Sequence, residues 1–128
     1  TDAVNIKDAF IINIGVNFEI ITRPNYNDNE VILRCISKLK EMFNIKKWQI
    51  NQPIVKADIY TELDKVDGVQ TVSNCEIINL WDSSQGYSGN IYNIDTATKN
   101  GIIYPSLDPS IFEIKFTDSN IKGRTVSL

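Results

Sequence analysis

Residues that commonly carry out nucleophilic or metal chemistry are scarce in this sequence. Histidine is absent from all 128 residues, which removes Ser-His-Asp and Cys-His nucleophilic sites and histidine-ligated zinc. Cys35 and Cys75 are too far apart to form a Cys-x-x-Cys metal or redox motif. We therefore expect no catalytic residue and no metal site, and we interpret the two cysteines as buried, reduced thiols.

Paired carboxylates are the remaining candidates for acid–base chemistry. Asp58 and Glu62 are spaced i, i+4 on a predicted helix and share one face, whereas a glycosidase needs its carboxylates on opposite sides of a cleft. We interpret the pair as a solvated helix surface. The "GYSGN" stretch (86–90) lacks the lysine and the helix signal of a phosphate loop. The sequence thus predicts neither an enzyme nor a cofactor.

Composition argues against several classes of partner. The net charge of −3 does not favour nucleic acid, and no apolar run is long enough to span a membrane. The start lacks an initiator Met and a signal peptide, so we expect a fragment or a processed chain. The reduced cysteines favour a reducing compartment. A local basic cluster is interpreted as the solvated face of the first helix; it comprises Arg34, Lys38, Lys40, Lys46 and Lys47.

The first half of the chain has clear secondary-structure signals. Alternating apolar residues over 10–21 predict a half-buried strand, and Asn27 with Glu30 forms a capping-box pattern that opens a helix running to about Phe43. Pro53 suits the first position of a second helix. The buried stripe of that helix would be Val55, Ile59, Leu63 and Val66. Gly68 should end it, before a strand over 69–80.

The later segments are less regular. Residues 81–109 are polar and Gly-rich at first, and "IYNI" (91–94) and "GIIY" (101–104) are predicted to form a small hairpin. A third strand is expected over 111–116, with Phe112, Ile114 and Phe116 on one face. The polar tail that follows is expected to lie on the surface or to fray.

The order of elements predicts an α+β fold, a two-layer sandwich of strand, helix, helix, strand, β-rich extension and strand. Residues 1–80 and 110–128 would form the domain, and 81–109 an inserted extension or hairpin arm. The last two strands would pair antiparallel. Surface aromatics and rigid turns suit a protein interface, although packing on the parent domain is the alternative. The interface candidates are Trp48, Trp81, Tyr87, Tyr92, Tyr104, Pro105, Leu107 and Pro109.

Two stretches carry a family resemblance. "PIVKADIYTELDKVDGVQTVSNCEI" (53–77) resembles the C-terminal domain of baseplate J-like proteins from contractile-tail phages, in which a Pro-led helix runs into a Val-x-Gly-Val junction and a strand. "NGIIYPSLDPSIFEIKF" (100–116), followed by "DSNIKG", resembles the end of the related baseplate wedge proteins of T-even-type phages. The second stretch is the more specific, and together they cover the chain from about Pro53 onward.

The resemblance implies a structural virion protein without enzymatic activity or cofactor. Such a domain would self-associate, as a homodimer, and contact other wedge proteins, joining wedges into the inner ring of the tail baseplate. It would be located in the virion after assembly in the host cytoplasm, with no nucleic-acid or membrane partner. A small-ligand-binding α+β regulatory module with the extension as a lid is the alternative, and an enzyme that uses Asp58 or Glu62 is a third hypothesis.

Overall fold

The computed structural model describes residues 9–44, 46–106 and 109–127. Its helices and strands confirm the α+β class. In chain order they are β1 (Phe10–Thr22), α1 (Asp28–Met42), β2 (Ile54–Val55), α2 (Lys56–Asp64), β3 (Val69–Asn79), a 3-10 turn (Ser83–Gln85), α3 (Ile94–Ala97), β4 (Thr98–Lys99), β5 (Ile102–Ile103), β6 (Ser110–Glu113), α4 (Thr117–Asn120) and β7 (Ile121–Thr125).

The predicted antiparallel pairing of the last two strands is wrong, because β1 lies between them. β3 pairs antiparallel with one edge of β1, while β6 and then β7 pair in parallel along the other edge. β1 can pair with β6 and β7 along the same edge because it is 13 residues long. The strand is central in the sheet, and the side chains on its inward face are fully buried. These are Ile12, Ile14, Val16, Phe18 and Ile20.

The first helix forms as predicted. The Asn27 side chain accepts a hydrogen bond from the Glu30 backbone N–H (3.1 Å), which satisfies a donor that the first turn leaves without a helical partner. The helix ends at Met42, with Phe43 as its C-cap, and its stripe of Val31, Cys35 and Leu39 is buried against the sheet. One face of the main sheet is therefore covered by helices, since α2 packs on it beside β3.

The second helix begins later than predicted. Ile54 and Val55 form β2, which pairs with β5, so helical hydrogen bonding starts only at Lys56. Pro53 accordingly precedes the strand and is not the first helical residue. Within the helix Ile59 and Leu63 are buried, whereas the expected stripe members Val55 and Val66 lie outside it and are half-buried. The strand expected after Gly68 is confirmed as β3.

The predicted small hairpin forms, but its first strand is β4 and not the "IYNI" segment. β4 and β5 are joined by Asn100 and Gly101, both with positive φ (54° and 77°), as a two-residue type I′ turn requires. "IYNI" is not a strand, because the Asn93 side chain accepts from the Thr96 N–H and caps α3 instead. Ile94 and Ile103 are buried in the same cluster as β1, so residues 81–109 contribute to the core.

The end of the chain also differs from expectation. The strand predicted over 111–116 stops at Glu113, and Phe116 is exposed because the chain turns into α4 there. The tail, expected to lie on the surface or fray, instead forms β7 against the second half of β1. Ile121 is buried by that pairing. The polar tail therefore completes the sheet.

Candidate functional site

A segment that we call the strap, residues 83–94, crosses the main sheet. Tyr92 and Ile94 near its end pack in the core, whereas its middle reaches Asn13 on the face opposite the helices. Asn13 on this face is only 1% exposed. Its Oδ1 accepts from the Ser88 backbone N–H (2.8 Å), and its Nδ2 donates to Glu113 Oε1 (2.8 Å). Because Asn13 is buried and both ends of its amide have partners, it fixes the strap to the middle of the sheet.

Further hydrogen bonds hold the strap along the same strand. The Asn90 Nδ2 and the Ser88 hydroxyl both donate to the Ile11 carbonyl (2.7 and 2.9 Å). Towards α4, the Tyr87 hydroxyl accepts from Asn120 Nδ2 (2.8 Å). The strap is therefore positioned by side-chain hydrogen bonds at both its middle and its turn, although it forms no strand of its own.

Asn79 at the end of β3 clamps the strap on either side of Ile91. Its Oδ1 accepts from the Tyr92 backbone N–H (2.9 Å), and its Nδ2 donates to the Asn90 carbonyl (3.4 Å). Ile91 between them has no place in the core and is 71% exposed. A large apolar side chain is thus held in water on a fixed backbone.

The predicted interface residues fall into two groups. Trp81 and Tyr104 are 48% and 45% exposed, and Pro109 is also exposed. The others are half-buried. Trp48 stacks on Phe43 (4.9 Å between ring centroids), whereas Tyr87 meets Phe116 and Tyr92 meets Phe112 edge to face (5.5 and 6.1 Å). Pro105 is also half-buried. Leu107 lies outside the described residues. Whether any of these residues contacts a partner stays a prediction.

Ile91 is not among the interface residues that the sequence predicts. Those residues are aromatic or lie in proline-rich turns, and the hairpin strand predicted over 91–94 does not form. A usable signal was present, because an isoleucine stands in a long surface segment without charged residues. Phe10 and Phe116 were also not among the candidates and are about two-fifths exposed (39% and 41%).

The basic cluster of the first helix is largely neutralised by neighbouring carboxylates. Lys38 contacts Glu62 (3.3 Å), and this hydrogen bond lowers the pKa of Glu62. Lys40 likewise lowers the pKa of Asp118. The remaining ion pairs are Arg34 with Glu30 and Asp67, and Lys47 with Glu41. A surface with paired charges agrees with a solvated helix face.

The described residues contain no group of three or more His, Cys, Asp or Glu side chains able to hold a metal ion. Cys35 and Cys75 are both free and buried, as predicted, and burial raises the pKa of each thiol to about 11. An open groove of about 360 Å³ is lined by residues of β1, β3 and β7, among them Asn17 and Glu19 on the face opposite the helices. Arg124 and Glu19 form an ion pair in it (2.8 Å). A groove of this kind is where a small ligand would bind under the alternative hypothesis.

Within the described ranges no helix has the length and apolar character needed to cross a membrane. No protein-family model matches the chain, and a search of curated proteins finds no match. The function is therefore argued from the geometry of the residues and from the resemblance of the two stretches described above.

The Asn13 network supports a first prediction. Asn13→Leu should lower the free energy of unfolding by about 2 kcal/mol, because the Ser88 N–H and Glu113 lose their partner. Hydrogen exchange of residues 86–92 should accelerate by about tenfold or more as the strap loosens. Asn17→Leu, on the same face but over the open groove, is the control and should change neither quantity. Equal effects of the two substitutions would contradict the role given to Asn13.

Proposed function

We propose that this chain is the C-terminal domain of a phage tail baseplate wedge protein. It self-associates, as a homodimer, and joins wedges into the inner ring of the baseplate. Its other partners are baseplate wedge proteins, and its place is the virion tail, after assembly in the host cytoplasm. The proposed role is structural, with no enzymatic step, cofactor, nucleic acid or membrane.

The resemblance to wedge proteins gives one line of support. The stretch 53–77 supplies β2, α2 and most of β3, and the stretch 100–116 supplies β5 and β6. The two stretches meet in space, because Ile54 pairs with Ile103 and Val55 with Ile102 in the small sheet. Both stretches that carry the resemblance therefore belong to one packed unit, as a shared domain would require.

The observation that carries the proposal is the exposure of aromatic side chains on fixed backbone in the extension. Tyr104 follows β5, its N–H donates to the Ala97 carbonyl (3.0 Å), and its carbonyl accepts from the Tyr92 hydroxyl. Trp81 follows the clamped end of β3. Exposed tryptophan and tyrosine side chains are over-represented among the residues that dominate binding energy. A fixed backbone also reduces the entropy lost on association.

Self-association is tested by removing these two side chains. Light scattering and sedimentation of the wild-type domain should show a dimer at high micromolar concentration. Trp81→Ala with Tyr104→Ala should weaken the dimer by about 30-fold or more, since interface truncations that matter cost over 1 kcal/mol each. The far-ultraviolet circular dichroism should be unchanged.

Leu33→Ala is the matched control. Leu33 is an exposed apolar residue on α1, away from the extension, so its loss should leave the dimer intact. A wild-type domain that stays monomeric would count against self-association. The virion role has its own readout, because antibodies to the domain should label the baseplate end of purified tails from the phage that encodes it. Labelling elsewhere on the particle would contradict that role.

A further inference from the structure

Ile91 is the most exposed of the large apolar residues that the structure describes, at 71%, followed by Leu33 at 62%. Removing a side chain of this size from water is favourable by about 1.5–3 kcal/mol. Single exposed apolar residues are common on protein surfaces, so exposure alone decides nothing. What distinguishes Ile91 is how its backbone is held and what surrounds it in the chain.

The backbone beside Ile91 is fixed before any partner arrives. The Asn79 amide binds the peptide groups of Asn90 and Tyr92 on both sides of it. Asn90 is itself anchored through its side chain to the Ile11 carbonyl. Ile91 is therefore presented by hydrogen bonds to two strands of the main sheet, and its burial in a contact would require little ordering of the chain.

The charge of the strap favours one kind of partner. From Ser83 to Ile94 no residue is charged, in a chain in which 23% of residues are. The charges that border it are Asp82, Asp95 and Lys115, whose Nζ donates to the Gly86 carbonyl at the end of the strap remote from Ile91. A two-fold contact places residues near the axis against their own copies, so any charge there would face a like charge, which is unfavourable. A segment without charged residues can face its own copy without like-charge repulsion. Interface centres are also depleted in charged residues.

We propose that Ile91 packs against the Ile91 of a second copy of this chain at a two-fold axis, with the uncharged strap as the contact. The proposal rests on the self-association proposed above and adds where the axis passes. Trp81 and Tyr104 then lie around this centre.

Disulfide trapping tests the position of the axis. The chain has only two cysteines, both buried with raised pKa values, so Ile91→Cys introduces the one accessible thiol. Oxidised glutathione should convert this variant to a covalent dimer, because a disulfide requires Cα atoms within about 7 Å. Leu33→Cys is the control and should stay monomeric on a non-reducing gel. Equal cross-linking of the two variants would mean random collision and would overturn the proposal.

A charge-complementation experiment tests the two-fold contact without oxidation. Ile91→Lys and Ile91→Asp should each weaken self-association by about 30-fold or more, because like charges meet at the axis. An equimolar mixture of the two variants should restore dimers, each containing one Lys and one Asp copy. Unaltered dimerisation of both single variants would overturn the Ile91 contact.

The outcomes separate this inference from the proposed function. If Trp81→Ala with Tyr104→Ala dissociates the dimer while the Ile91 variants do not, self-association stands and the axis lies elsewhere. If only the Ile91 variants dissociate it, the strap is the contact and the aromatic pair is not. A wild-type chain that is monomeric at every concentration overturns both.

Discussion

Gly123→Ala is expected to lower the free energy of unfolding by about 3 kcal/mol, at the upper end of the usual range for overpacking. Gly123 lies beside Phe18 in the parallel pairing of β7 with β1. An added Cβ would stand 2.1 Å from Phe18 Cζ, far inside van der Waals contact. Phe18 is 1% exposed in the centre of the core, so its ring cannot move aside without disturbing the packing. Urea unfolding of the two proteins measures the difference.

A double-mutant cycle shows whether Phe18 is the cause. Phe18→Leu alone should destabilise the domain through lost packing, but in its presence Gly123→Ala should cost about 1–2 kcal/mol less than in the wild type, because neighbours couple. Lys122→Ala, the next position on β7 and exposed, should have little effect. Strictly additive losses from the two core substitutions would contradict a direct clash.

Gly123 and Phe18 also illustrate why the sequence does not predict β7. The segment "IKGRT" contains charged residues and a glycine, and none of these indicates a strand. It becomes a strand only because β1 has a free edge beyond β6, and that edge is set by residues about a hundred positions earlier. The fit of Gly123 to the Phe18 ring is visible only after the two strands are side by side.

The elements that were predicted correctly have local causes. The side chain of Asn27 caps α1 within a single turn, and the alternation from Ile12 to Ile20 specifies one face of β1 without reference to any other segment. The prediction that Pro53 begins the second helix was wrong because a distant segment decides the structure there. The residues after it have helical spacing, but Ile54 and Val55 pair with β5, which lies far along the chain.

The candidate interface could be predicted only in part. Aromatic content alone identifies Trp81 and Tyr104 as candidates, but it cannot separate them from Tyr87 and Tyr92, whose rings pack on Phe116 and Phe112. Ile91 depends on the Asn79 clamp, a contact between the end of β3 and the strap that no sequence period encodes. The charge-free stretch around Ile91 was the one signal available beforehand.

Gly68→Ala is the second substitution with a large expected effect, a loss of about 3 kcal/mol from backbone strain and overpacking together. The turn between α2 and β3 holds Gly68 at a φ of +98°, which side chains rarely adopt, and a Cβ there would lie 2.6 Å from Val31 Cγ2 and 2.7 Å from Tyr26 Cδ1. The positive φ confirms that this glycine forms the corner before β3, but the prediction that it ends the helix is wrong, because α2 already stops at Asp64. Thermal or urea unfolding gives the loss.

Gly101→Ala separates the two contributions. Gly101 also has a positive φ (+77°), but nothing lies within 4 Å of an added Cβ, so alanine there meets strain alone and should cost about 1 kcal/mol. The excess loss at Gly68 then measures the contacts with Val31 and Tyr26. Equal losses at the two glycines would show that Tyr26 and Val31 yield freely. An unchanged melting temperature for Gly68→Ala would contradict the corner itself, because both the strain and the overlap would have to be absent.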